Sequence, residues 1–196
     1  TQPDPMNGIA TEVLIIFLLL LANGVFAMAE ISVVSSRKGR LKKLADEGST
    51  KAQAALALAQ EPTRFLSTVQ IGITLVGILA GAYGGANLTD KVAALVAQWT
   101  PLAAYGRPIA LFLVVSSITF CSLIIGELVP KRVGLNNPER KAMLMAGPMN
   151  ALSRLASPFV WVLTKSTNLV LRLLGLGKEA DAPPSEEEVA HLIEQG

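Results

Sequence analysis

Hydrophobic positions along this chain fall into long unbroken runs rather than into alternation. Residues 13–29 carry no charge, and apolar character continues to Val34. Residues 65–89 and 108–126 are likewise free of Asp, Glu, Lys and Arg. A helix needs about 20 mostly apolar residues to cross a bilayer. The pattern therefore predicts an all-α membrane protein with three spans, at about 9–35, 64–87 and 108–128. The second run is rich in glycine (Gly72, Gly77, Gly81, Gly84 and Gly85), which lets helices approach closely in lipid and suits a two-fold dimer.

Between and after the runs the pattern changes. Residues 37–61 read as a helical pair: a basic helix ends at Gly48, and an Ala-rich one resumes at Thr50 and stops before Pro62. Residues 139–176 are apolar but interrupted by Arg154, Lys165 and Arg172. Breaks are expected at Pro148 and Pro158. Such a segment suits amphipathic helices lying at the inner interface, with a fourth span at about 158–176 as the alternative. Residues 1–7 read as a tail outside the domain and residues 8–176 as the membrane domain. Residues 177–196 read as a linker and the start of a cytoplasmic regulatory domain cut short, because Ser185-Glu-Glu-Glu188 opens a new helix.

Charge adds an orientation. The segment after the first run holds seven of the 17 Lys and Arg residues, from Arg37 to Arg64, whereas the next holds only Lys91 and Arg107. Basic segments stay cytoplasmic, so the N-terminus is expected outside and the C-terminus inside. Asp4 and Glu12 precede the first run without any Lys or Arg, which speaks against a cleaved signal peptide.

Composition narrows the class. Apolar residues make up 51% and charged residues 16%, against about 25% charged in soluble domains, and mean hydropathy is +0.47. A soluble domain and a disordered chain are both excluded. One cysteine, Cys121, excludes a disulfide scaffold. A net charge of +2 gives no basis for nucleic acid as a partner.

Polar groups inside spans are expensive, so they are the candidates for chemistry. The runs offer Asn23, Glu30 and Ser32; then Ser67, Thr68, Gln70 and Thr74; then Ser116, Ser117, Thr119, Ser122 and Glu127. The densest feature is Gly126-Glu-Leu-Val-Pro130. Pro130 has no N–H for the carbonyl four residues back, that of Gly126. A freed carbonyl beside a carboxylate outlines a hard-oxygen cation site. The other reading is that Pro130 ends the helix and Glu127 pairs with Lys131. Asn23 offers either an amide ligand or an interhelical hydrogen bond. Glu30, on the same helix face, is either a second acid or a partner of Arg37 or Lys38. Enzyme chemistry has little to build on: His191 is the sole histidine, Ser35-x-x-Lys38 lacks partner motifs, and no phosphate-binding loop occurs.

Three ordered motifs carry a resemblance. Asn23-Gly-Val-Phe-Ala-Met-Ala-Glu30 with Ser35-Ser-Arg37, Pro62-Thr-Arg-Phe-Leu-Ser-Thr-Val-Gln-Ile-Gly-Ile-Thr74, and Gly126-Glu-Leu-Val-Pro-Lys-Arg132 together resemble the transmembrane domain of the CorC/CNNM family. The resemblance implies three spans with a belt of juxtamembrane helices, a homodimer in the cell inner membrane, and an ATP-binding C-terminal cystathionine-β-synthase (CBS) domain pair that this chain lacks. It implies Mg²⁺ transport, as Na⁺-coupled export in several members. By position it implies an ion site with Asn23 and Ala27 from span one, the Ser67–Thr74 turn (Ser67, Thr68, Gln70) from span two, and Gly126 and Glu127 from span three. Where some branches carry Gly-Asn in span two, this chain has Gly72-Ile73, which leaves the span-two ligand open. The alternatives are a polyamine exporter on the same fold, which an aromatic content of only 5% does not favour, and a non-transporting membrane ion sensor or scaffold.

Overall fold

A computed structural model describes residues 5–98 and 105–175. Seven α-helices are described: α1 (Pro5–Val34), α2 (Lys38–Asp46), α3 (Thr50–Gln60), α4 (Pro62–Val96), α5 (Gly106–Leu123), α6 (Val129–Leu135) and α7 (Pro138–Leu173). A π-helical turn, Ile124–Leu128, joins α5 to α6. No strand occurs among the described residues.

Three helical stretches are long and apolar enough to cross a membrane: Ile9–Val34, Pro62–Val96 and Gly106–Leu135. Large apolar side chains such as Leu14, Leu18, Ile78, Phe112 and Phe120 stand exposed along them. Hydrocarbon is the solvent such a surface requires, and a helix satisfies its own backbone within it. The protein is an all-α membrane protein.

Local chemistry explains the corners. Ser49 caps α3 by accepting the Ala52 N–H. Gly48 supplies the left-handed residue (φ 94°) between α2 and α3. Pro62 opens α4, where its missing N–H costs nothing. Asn137 takes φ 58° at the α6–α7 corner, a conformation asparagine tolerates better than most residues. The second span runs beyond the expected end near residue 87, to Val96.

Two expectations about proline are corrected. Pro130 does not end the third span, because the π turn takes up its missing donor and α6 continues to Leu135. Nor do Pro148 and Pro158 break residues 139–176: α7 is one helix through both. Each proline removes a single main-chain bond and leaves the rest of the ladder in place. Among the described residues, 158–175 are not long and apolar enough for a fourth span, since Lys165 and Arg172 interrupt them.

Contacts divide the chain after Arg154. In the first unit, α1 lies between α4 on one side and the π turn and α6 on the other, while α4 also packs on α5. A core of Ala29, Val33, Leu41, Leu58, Phe65 and Met149 gathers where α1 ends and α2, α3, α4 and the start of α7 meet. The small helices thus brace the α1 and α4 ends on the basic side of the domain. In the second unit, α7 continues with Lys165 above the Trp161 ring at 6.0 Å.

Candidate functional site

The third span meets the first through residues that have almost no side chain. A Cβ on Gly24 would lie 2.8 Å from Pro130 Cγ and 3.0 Å from the Ile125 carbonyl oxygen. One on Gly134 would overlap Ile31 Cγ2 and lie 3.0 Å from the Met28 oxygen. Real Cβ atoms do not approach so closely, so glycine is what lets these helices touch. Ser32 closes the lower part of the seam. Its hydroxyl donates to the Met28 oxygen at 2.6 Å and also faces the Gly134 oxygen at 3.3 Å.

Asn23 and Gly126 meet inside this seam. The Asn23 amide Nδ2 donates to the Gly126 oxygen at 3.2 Å. Gly126 is buried, and a Cβ there would sit 3.0 Å from Nδ2. The π turn is the local cause. With no N–H at Pro130, the ladder shifts to a five-residue step, in which the Val129 N–H bonds the Ile124 oxygen. Gly126, whose donor position four residues on is the N–H-less Pro130, turns its carbonyl toward α1. The other atom of the amide, Asn23 Oδ1, is buried and has no hydrogen-bond partner. An unpaired buried amide oxygen costs about 1–3 kcal/mol. Ala27, one turn further along α1, is buried and widens nothing.

A charged triad adjoins the pair. Lys131 Nζ lies 2.8 Å from Glu127 Oε1 and 3.8 Å from Glu30 Oε2. All three side chains are partly exposed, at 34%, 45% and 28%. Glu30 therefore meets Lys131 rather than Arg37 or Lys38, and Glu127 is held by its own helix neighbour. Both readings of the Gly126–Pro130 segment hold in part: the carbonyl has lost its helical donor, and the carboxylate is paired.

Span two contributes less than the sequence suggests. Thr68 is buried but turned toward α7: its hydroxyl donates to the Arg64 oxygen at 2.9 Å and lies 3.2 Å from Ser153 Oγ. Gln70 is exposed and Ser67 half-buried, and neither has a hydrogen bond to Asn23 or Gly126. Phe26 explains the distance, since its ring packs against Gly72, where a Cβ would lie 2.8 Å from it. The aromatic ring fills the α1–α4 contact at Gly72. Of the span-three hydroxyls, Thr119 and Ser122 line a cavity of about 210 Å³ with Gly77, Ala80 and Gly81.

The sequence reading missed one polar cluster. Glu12 Oε1 accepts from Lys91 Nζ at 2.8 Å, tying the start of α1 to the far end of α4. Thr89 Oγ1, two residues before Lys91 in the chain, is buried without a hydrogen-bond partner. An acid at the head of the first run and a lysine just past the second, both at the same membrane face, were the available signal.

Chemically the seam offers neutral oxygens and nearby carboxylates. Among the described residues no three His, Cys, Asp or Glu side chains converge. Oxygens of this kind are the ligands that hard cations take.

Three helices long and apolar enough to cross a membrane, with a buried amide–carbonyl contact between the first and the third, define a helical membrane domain. The chain belongs to the CNNM family: the Cyclin M transmembrane N-terminal domain matches residues 14–196. It is 45% identical over 190 residues to a UPF0053 protein of Synechocystis sp., covering 97% of this chain and 42% of that protein. It is 30% identical to the polyamine export proteins of Haemophilus influenzae and of Escherichia coli K12, covering 94% of this chain in each case and 42% and 41% of theirs. The chain spans less than half the length of these relatives.

Proposed function

We propose that this domain transports Mg²⁺ through a site formed by α1 and the π turn, as the membrane unit of a homodimeric, Na⁺-coupled exporter in the inner membrane. One observation carries the reading: the buried, unpartnered Asn23 Oδ1 beside a Gly126 carbonyl whose helical donor Pro130 has removed. A half-turn of the Asn23 amide exchanges Nδ2 for Oδ1 next to the Gly126 oxygen. Two neutral oxygens then face one point, where a divalent cation replaces the lost hydrogen bond. Glu127 adds charge once it leaves Lys131, and water fills the remaining positions, as Mg²⁺ prefers. Lys131 remains with Glu30. The ammonium thus acts as a tethered stand-in that holds Glu127 while no ion is bound.

In this reading the N-terminus is outside, α2 and α3 are cytoplasmic, and an ATP-binding CBS pair on the whole protein regulates the domain. Calorimetry with MgCl₂ tests it. Asn23→Ala should weaken binding, and a variant that binds as tightly as the parent would remove α1 from the site.

A second reading is polyamine export. The names of two relatives favour it, and so does the triad: Glu127 and Glu30 already hold an alkylammonium, that of Lys131. Spermidine titrated against the same variants separates the two. A polyamine site depends on Glu30 and Glu127 and tolerates Asn23→Ala, whereas an Mg²⁺ site depends on Asn23 and Glu127 and tolerates Glu30→Gln.

A further inference from the structure

On the basic side of the domain, the turn before α3 and the first turn of α7 enclose a cleft of about 590 Å³. Its polar wall is Ser49, Lys51, Asn137, Arg140 and Lys141. No Asp or Glu lines it. The nearest acid in sequence, Glu139, is committed elsewhere. Its carboxylate lies 3.5 Å from the Arg37 N–H and 3.8 Å from Arg40. Lys141 is also committed, since Nζ donates to the Val133 and Asn136 oxygens and so neutralises the end of α6. Lys51 and Arg140 are exposed and are in no ion pair among the described residues.

Two helix N-termini add to these cations. Ser49 is the cap of α3, and Asn137 immediately precedes Pro138 at the head of α7. Both helices thus present their positive ends to one cleft, an arrangement that favours a phosphate. The opposite wall is apolar: Met143 and Leu144 complete it, and Leu144 is 60% exposed. A free inorganic anion has no use for that wall. An amphiphile has, because its headgroup and its first methylenes need both surfaces side by side.

We propose that this cleft binds the phosphate headgroup of an anionic membrane lipid, with Lys51 and Arg140 as the principal contacts. The lipid would bridge α3 and α7 and fix the small helices to the leaflet in which the basic segments lie.

Native mass spectrometry of the purified protein with phosphatidylglycerol or phosphatidylcholine tests this. The parent should retain phosphatidylglycerol preferentially. The double variant Lys51→Ala/Arg140→Ala should lose about tenfold or more in apparent affinity. Lys42→Ala/Lys43→Ala, on exposed positions of α2, removes the same charge and should change little. Equal losses in both double variants would mean diffuse surface charge and overturn the proposal. Displacement of the lipid by millimolar inorganic phosphate would assign the cleft to a free anion and overturn it too. If the first double variant is poorly folded, Lys51→Gln and Arg140→Gln singly, checked by gel filtration, should each show a partial loss, and no loss in either would refute the site.

Discussion

At the scale of single residues, the site depends on how few charges it contains. In the proposed site Mg²⁺ would bring two positive charges to one carboxylate, that of Glu127, the residue next to Gly126. Glu127→Gln keeps the shape and removes that charge. Mg²⁺ affinity, read by calorimetry, should fall more than tenfold, which is about 1.4 kcal/mol or more. Asn23→Ala should have an intermediate effect, since it removes one neutral oxygen. Lys131→Met should act in the opposite direction. It deletes the ammonium 2.8 Å from Glu127 while keeping the length of the side chain, so Mg²⁺ should bind about threefold more tightly or better. Weaker binding in Lys131→Met would mean that the lysine positions Glu127 for the ion rather than competing with it. Asn23 and Gly126 were legible in the sequence because an amide inside an apolar run and a proline four residues after a glycine are both conspicuous. The bond between them was not, since nothing in either motif encodes that α1 and the third span meet at that height.

At the scale of elements, proline decides the shape of the third span. Pro130→Ala restores an N–H that can recapture the Gly126 oxygen. The π turn then relaxes to α-helix, and the carbonyl leaves Asn23. Mg²⁺ affinity should drop although no ligand side chain has changed; unaltered affinity would retain Glu127 and discard the carbonyl. Glycine decides the seam. Gly134→Ala places a methyl 3.0 Å from the Met28 oxygen, a main-chain atom that cannot step aside. A loss of about 1–3 kcal/mol should appear as a lower midpoint in detergent thermal unfolding. Gly39→Ala, where nothing lies within 4 Å of the added carbon, should be neutral or slightly stabilising by the same assay. The three spans were legible from uninterrupted hydrophobicity alone. The π turn and the unbroken α7 were not, because a proline in a sequence announces only the loss of one donor. Whether the chain stops, kinks or steps to a wider turn depends on what packs beside it. For Pro130 that neighbour is Gly24, which leaves room for the ring.

At the scale of the molecule, charge along the chain carries the expected orientation. Glu47→Cys and Asp90→Cys, each in a Cys121→Ala background, report on the two faces. Both positions are exposed. A membrane-impermeant maleimide should label the residue-90 cysteine in intact cells and the residue-47 cysteine only after permeabilisation. The reverse pattern would invert the domain and the direction assigned to every site in it. The expected orientation rests on lysine and arginine counts, which are a property of sequence alone. The cleft before α3 was not legible there, because Lys51 and Arg140 stand far apart in the chain and only the corner at Asn137 brings them together.

The seam between α1 and the third span also limits how the domain can move. Gly24 accepts the Pro130 ring and Gly134 accepts Ile31, so bump and hollow alternate along both helices like the teeth of a rack. A rack does not slide by small amounts. It disengages, or it jumps by a whole turn, about 5.4 Å. Short of that, α1, the π turn and α6 are expected to move as one body, with Asn23 keeping its distance from Gly126. In the proposed transport cycle, the boundary that opens and closes would then run along α4. There the Phe26 ring lies flat against Gly72, and the hollow at Gly77 and Gly81 leaves α5 space to roll.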